Sequence, residues 1–420
     1  MAQVEKLARA CGLSPQDRRA IARNATGLVK GIRRHDRPGL MEAFLAEYGL
    51  SSREGVALMC LAEALLRVPD APTIDALIQD KIAPSDWRRH LGHSTSMLVN
   101  ASTWGLMLTG RVLANEPEGL VGTLRALVRR LGEPVIRTAV GAAMAEMGNQ
   151  FVLGEDIGAA MERATVNEQA GYTHSYDMLG EAAVTKADAR KYLTAYHRAI
   201  AAIGEQCMAR DITQNPGISV KLSALHPRYE ETNRAQVMEE LPPRLLGLAR
   251  AARDANMGLN VDAEESERLA LSLDVMEAVL ADPSLKGWAG FGIVVQAYNR
   301  SAMDVLERIG TWQRTLDRAL MVRLVKGAYW DREIKRAQVL GLSRFPVFTT
   351  KQGTDISYLA AARRLLDMGN GIYPQFATHN AHTVAAILRM AEPGQAFEFQ
   401  RLHGMGENLH ELVRAAHGTR

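Results

Sequence analysis

The sequence has 420 residues, of which 47% are hydrophobic and 23% charged, the balance of a globular chain long enough for more than one domain. Its 50 basic and 47 acidic side chains leave a net charge of +3. That excess is too small to argue for nucleic acid, and no run of Lys and Arg is interleaved with aromatics.

Three scattered cysteines, Cys11, Cys60 and Cys207, lack metal-ligand spacing and fit a reducing compartment. No signal peptide opens the chain, and no apolar run reaches the roughly 18 residues of a membrane span. The nearest run, 97–110, contains Asn100, Ser102 and Thr103. The chain reads as cytoplasmic, and peripheral contact with the inner membrane is compatible with it.

The first half is helical in pattern. Residues 1–32 carry Val4, Leu7, Ala8 and Cys11 at helical spacing, with a helix start at Ser14 in SPQD. Crowding of Arg33, Arg34 and Arg37 reads as a solvated helix end. Further helices are predicted over 40–48, 53–67, 73–81, 118–131 and 133–147. Nothing in this half pairs chemistry-bearing groups at useful spacing, which suits a scaffold or dimerisation arm. The domains expected are a helical arm (1–50), a helical α-domain (51–147) and a catalytic barrel (148–420).

The pattern changes near Gly148. From Ile218 onward, strand-like runs alternate with amphipathic helices: ISVKLSAL, LNVDAEE, FGIVVQAY, LMVRLVKGAYW, PQFATHN and FEFQRLHG. Helices are predicted between them over 236–255, 267–280, 303–313, 357–368 and 381–390. Such alternation means parallel strands with crossover helices. The first strand starts lie about 30–40 residues apart, as in a (β/α) barrel. No G-x-G-x-x-G follows the first strand and no P-loop occurs, so a Rossmann sheet is the weaker reading. The fold class expected is α/β, a (β/α) TIM-type barrel with six recognisable strands after an all-helical region.

The run 320–330 organises the second half. Arg323 and Lys326 are cations on opposite faces of an otherwise apolar strand, and a strand covered on both faces needs a reason to carry charge. The run breaks at Gly327–Ala328, where a flat ligand could approach the backbone, and Tyr329 and Trp330 follow. Lys221, Asp262, Gln296, Arg323 and His379 each fall toward the C-terminal end of a different predicted strand. Those ends converge on one mouth in a parallel barrel, where active sites are built. Taken singly, each has a structural explanation: Lys221 and Asp262 as an ion pair between adjacent strands, His379 as a satisfied core histidine, Gln296 as a loop cap. Together they read as a site.

The chemistry is narrowed by what is missing. There is no nucleophile elbow. His379 and His382 lack a third ligand motif, so no metal is expected. Glu264 and Glu265 are adjacent and would point apart, unlike a glycosidase pair. A cation-lined, aromatic-flanked mouth remains, suited to a flavin or another anionic planar cofactor, with Arg323 near the ring edge. A Schiff-base lysine, Lys221 or Lys326, is the competing reading, and a non-catalytic dimerisation scaffold is a third.

The segments GISVKLSALHPRY, NVDAEESERL, VVQAY, RLVKGAYWDREIKRAQ, YPQFATHNAHT and EFQRLHGMGE resemble, in order, the proline dehydrogenase domain of the PutA family of bifunctional proline-catabolic flavoenzymes. The resemblance runs from about residue 145 to the C-terminus, and the helical half resembles that family's arm and α-domain. It implies an FAD-dependent barrel that oxidises L-proline to Δ1-pyrroline-5-carboxylate by hydride transfer to flavin N5, with electrons passed to a membrane quinone. It further implies that Arg323 lies near N5 and that Asp262, Gln296, Val325, Gly327, Ala328 and Trp330 contact the flavin. Thr378, His379, Asn380 and Gln400 would hold further parts of FAD. Lys221 would bind the proline carboxylate, with Asp262 beside it and Ala328 and Leu402 against the substrate. Lys221, Asp262 and Arg323 are the catalytic candidates.

The family's full-length members often begin with a ribbon-helix-helix segment, which is absent here, so no nucleic-acid partner is expected; a homo-oligomer is expected of the full-length protein. After Gln400, the family continues with two more strands, a carboxylate-binding arginine pair and an aldehyde dehydrogenase domain. A chain stopping at Arg420 is therefore expected to bind FAD poorly and to turn over proline weakly or not at all.

Overall fold

The computed structural model describes residues 2–34, 73 and 152–419. Residues 1–33 and 154–420 form one compact unit; residues 34–153 form a second. The helices predicted over 40–48, 53–67, 73–81, 118–131 and 133–147, and with them the expected α-domain, lie outside the described residues.

The chain opens with helices α1 (Ala2–Ala10) and α2 (Pro15–Arg33). The start of α2 is a reciprocal cap. Ser14 Oγ accepts from the Asp17 N–H at 3.1 Å, and an Asp17 carboxylate oxygen accepts from the Ser14 N–H at 3.1 Å, with Pro15 at the first helical position. Next come α3 (Ile157–Gln169), β1 (Ser175–Asp177) and α4 (Lys186–Gly204). After α4 lie β2 (Gly217–Val220), the single turn α5 (Leu222–Leu225) and α6 (Arg234–Asp254). The units β3 (Gly258–Val261) with α7 (Leu269–Leu280) and β4 (Phe291–Gln296) with α8 (Ala302–Thr315) follow. Then come β5 (Leu320–Val325), α9 (Trp330–Val339) and α10 (Lys351–Asp367). The chain closes with β6 (Ile372–Ala377), α11 (Ala381–Met390), β7 (Glu398–Gln400) and α12 (Glu407–His417).

The strands form one parallel sheet in sequential order, β1 to β7. The barrel-type α/β reading holds, but the described residues contain seven strands rather than six. The missed strand, β1, is three residues of Ser-Tyr-Asp, too short and too polar to show a period of two. The run 320–330 is strand only to Val325. Lys326 lies past its end, where its ammonium pairs with Asp355 of α10.

Alternation sorts the strand residues onto two faces. Ile218, Val220, Leu259, Ile293, Val295, Leu320, Val322, Leu324 and Phe376 share the outer face and are buried, which suits a face covered by crossover helices. The other face carries Ser219, Asn260, Gln296, Arg323, Gln375, Glu398 and Gln400. Arg323 of β5 bonds Ser175 of β1, Ser219 of β2 and Gln400 of β7. A side chain can span four strands only across the hollow of a curled sheet, so this polar face is the concave one. Gly292 makes room there: a Cβ at that position would stand 1.5 Å from the Asn260 side-chain amide.

The N-terminal helices dock on the outside of the helical layer. Leu7 and Cys11 pack with Phe348 and Ala360, and Ile21 and Ala25 pack with Ala385 and Ala386 of α11.

Candidate active site

The strand ends carry the site. Lys221 follows β2 directly, Asp262 follows β3, Gln296 is the last residue of β4, and Arg323 lies within β5. Lys221 Nζ donates to Asp262 Oδ2 at 3.1 Å and to Asp177 Oδ1 at 2.6 Å. The ion pair between adjacent strands foreseen as a structural alternative is thus formed, and it extends further. Asp262 Oδ1 also accepts from Arg323 at 3.5 Å. The side chains of Lys221, Asp262 and Arg323 are 15%, 16% and 12% exposed, low enough for charge to matter and open enough for a ligand to reach it.

Burial opposes the charge on Lys221, but Asp262 and Asp177 outweigh it and hold the ammonium above its ordinary range. Burial pushes the Asp262 carboxyl up, and Arg323 and Lys221 pull it back. A Schiff-base lysine needs the opposite environment, one that favours the neutral amine. The geometry at Lys221 therefore counts against the lyase alternative.

Arg323 is held from several sides. Its Nε donates to Gln400 Oε1 at 2.7 Å, and its terminal nitrogens donate to Ser219 Oγ and Ser175 Oγ, each at 2.8 Å. Asn260, with its amide oxygen turned to the guanidinium, accepts from it at 2.6 and 3.1 Å. Gln296 Nε2 donates to the Glu264 carbonyl at 2.8 Å, and its Oε1 accepts from the Ala328 N–H at 3.3 Å. This ties β4 to the Gly327–Ala328 break after β5. Gly327 has φ +132°, and a Cβ there would lie 2.5 Å from the Tyr298 ring. Only glycine satisfies both constraints. Gly327, Ala328 and Trp330 are exposed and Val325 is half-buried, giving a flat open edge beside Arg323. Trp330 is anchored by its indole N–H, which donates to the Phe348 carbonyl at 2.8 Å.

The turn after β6 supplies the remaining rim. Asn380 caps α11 by accepting from the Thr383 N–H at 3.0 Å, and Thr378 Oγ1 accepts from the Asn380 N–H at 3.2 Å. His379 Nε2 accepts from the Leu402 N–H at 3.0 Å, which requires the neutral ring. Burial and Arg401 both lower its pKa, in the same sense. Leu402 is 65% exposed at this edge.

The residues singled out in the sequence fall into two groups. Lys221, Asp262, Arg323 and Gln400 join in one bonded chain, whereas Gln296, Val325, Gly327, Ala328, Trp330, Thr378, His379, Asn380 and Leu402 surround it without bonding Lys221. Sequence reasoning missed Asp177, Ser175, Ser219, Asn260, Gln375 and Glu398. The first two sit on the unrecognised β1. The others carry a signal in hindsight: polar residues alternate with apolar ones in ISV, LNV, YPQF and FEFQ.

Comparison with known families agrees with this geometry. The family described as "Proline dehydrogenase" matches residues 160–420, a span containing all seven strands. The chain belongs to the proline dehydrogenase family. Residues 40–151 match the family described as "DNA-binding domain of Proline dehydrogenase". That description runs against the expectation of no nucleic-acid partner, an expectation that rested in part on net charge.

The chain is 53% identical over 382 residues to the bifunctional protein PutA of Salmonella typhimurium, covering 90% of this chain and 29% of that one. It is 50% identical over 414 residues to the PutA of Rhizobium meliloti, covering 97% and 33%. A crystal structure of a single-site variant of Bradyrhizobium japonicum PutA superposes with a TM-score of 0.73 at 50% identity, over 99% of this chain and 42% of that one. The chain thus spans about a third of the length of these curated relatives. Among the described residues, no helix is long and apolar enough to cross a membrane.

Proposed function

We propose that this proline dehydrogenase family chain carries the site at which L-proline is oxidised to Δ1-pyrroline-5-carboxylate with FAD as the cofactor and a membrane quinone as the final acceptor. The single observation that carries the reading is the bonded chain Asp177–Lys221–Asp262–Arg323 at the strand ends, an ammonium and a guanidinium held about one carboxylate.

The residues fit the cofactor. Arg323 offers a fixed cation inside the hollow, where a flavin gains negative charge on reduction. The Gly327–Ala328 edge and Trp330 offer an open, partly aromatic surface for a planar ring, and Gln296 and Gln400 offer amides beside it. FAD, when bound, supplies the two-electron acceptor. The protein's part is then positional. Lys221 binds the substrate carboxylate, Asp262 holds Lys221 and Arg323 in register, and Ala328 and Leu402 cover the substrate and exclude water. Oxidation at the carbon next to the ring nitrogen needs an unprotonated amine and close placement more than a strong base. The cofactor contacts of Thr378, His379 and Asn380 complete this reading. So does the division into arm (1–50), α-domain (51–147) and barrel (148–420), with self-association through the helical half and a cytoplasmic location at the membrane face.

A visible absorption spectrum, taken before and after adding L-proline without oxygen, tests the reading. Flavin bands that bleach support it. Bands that persist mean the cofactor contacts hold without a working substrate clamp. A well-folded protein with no flavin bands even after addition of FAD overturns it and favours the scaffold.

A further inference from the structure

Beside Arg323, on the same rung of the concave face, lies a carboxyl group that the proposed reaction does not use. Glu398 is the first residue of β7 and is 9% exposed. One oxygen, Oε1, accepts from Gln400 Nε2 at 2.6 Å and from Gln375 Nε2 at 2.9 Å; the other, Oε2, accepts from the Tyr373 hydroxyl at 3.2 Å. Three donors converge on it. Sheet register places Arg323 opposite Gln375, and Gln375 opposite Glu398, so the cation and the carboxyl share one rung of the concave face.

One amide joins them directly: Gln400, whose NH2 is bound to Glu398 and whose oxygen is therefore left for Arg323 Nε at 2.7 Å. A primary amide presents donor and acceptor ends of nearly equal size. Arg323 has only donors and a carboxylate only acceptors, so the two pin Gln400 in one orientation from opposite ends, and losing Glu398 leaves the amide held at the Arg323 end alone. Burial pushes the Glu398 carboxyl up, while its donors and Arg323 pull it back. An apolar side chain would fill the same space without the desolvation cost of a buried charge.

We propose that Glu398 is a positioning residue for Arg323: it orients the Gln400 amide that holds the guanidinium, and it supplies the second buried negative charge beside that cation. The effect on a flavin rests on the functional reading above; the effect on Arg323 itself does not.

The test uses the full chain with 15N-labelled arginine, the Arg323 Nε–H signal being assigned by its loss in Arg323→Lys. In the apoprotein this proton is expected to exchange slowly, and Glu398→Gln should speed its exchange at least tenfold. Tyr373→Phe, which removes a donor but leaves the carboxyl group, should not. In flavin-loaded protein, Glu398→Gln should also shift the oxidised-to-reduced equilibrium about tenfold toward reduced flavin, roughly +30 mV for two electrons. Glu398→Asp keeps the charge but withdraws it by a methylene, so it should speed exchange and leave the potential near the parent value. It also serves for the exchange measurement where Glu398→Gln does not fold. Unchanged exchange in the acid-site variants, or an equal change in Tyr373→Phe, overturns the proposal whether or not flavin binds. Parent protein that takes up no flavin overturns the functional reading alone.

Discussion

Along β5, neighbouring residues serve opposite purposes. Val322 and Leu324 are fully buried on the outer face, while Arg323 between them bonds Ser175, Ser219, Asp262 and Gln400 across the concave one. The outer face works by area removed from water, which is non-directional and tolerant of detail. The concave face works by direction: each polar group is placed by another, and one lost partner leaves a buried donor or acceptor unmet. Substitutions on the concave face should therefore cost function beyond what they cost in stability, and those on the outer layers should cost stability alone.

The largest expected effect is at the mouth. Lys221→Ala should lower kcat/KM for proline about 100-fold or more, close to 3 kcal/mol of lost binding, with the thermal midpoint moving by only a few degrees. Steady-state kinetics with an artificial acceptor, beside a melting curve, checks both halves. A comparable loss of folding stability would mean that the Asp177–Lys221–Asp262 cluster is structural first.

A comparable free energy should be lost outside, but from folding. Ile21 is 1% exposed and packs against Ala385 and Ala386. Ile21→Ala should cost about 2–3 kcal/mol of stability through the cavity it leaves. Denaturant midpoints measure this, and proline kinetics should hardly change. Altered kinetics at full occupancy of the folded state would show that the docked helices reach the site.

Acid should act on the rim rather than on either face. Burial is the main cause that lowers His174 and His410 to about 4 from an ordinary 6.5. The unfolded chain then takes up protons before the folded one does. Stability is full above about pH 6.5, falls as the pH drops toward 4, and levels off below that. Chemical unfolding at a series of pH values gives the slope, and His410→Asn should reduce it. The smallest effect is expected at the exposed pair of Arg389 and Asp17, 2.8 Å apart. Arg389→Gln should leave the melting midpoint essentially unmoved, because solvent-exposed ion pairs contribute little.

Much of this division was legible in the chain. The alternation from Ile218 onward gave a parallel sheet, and the Ser14–Asp17 start of α2 appears at the residues where the sequence places it. Lys221, Asp262 and Arg323 stand out because charge in an apolar run is costly and therefore visible. Ser175 and Asp177 were not legible, since three polar residues have no period. Gln375 and Glu398 were passed over because uncharged or flanking polar residues in a strand look like solvent-facing ones. Whether an alternate face meets water or a closed hollow depends on how the sheet curls, and a period of two does not record curvature.

By itself, the sequence determined the order of elements, the apolar outer face and the family, because these depend on local periodicity and on long collinear segments. It also determined where the strong charges lie along the chain. Tertiary structure alone decided that Lys221 sits between two carboxylates, that Arg323 reaches from β5 to β1, and that Glu398 joins it through Gln400. Those contacts join residues as far as 148 positions apart. They exist only once the sheet has curled and brought strand ends from opposite sides of the hollow within hydrogen-bond distance.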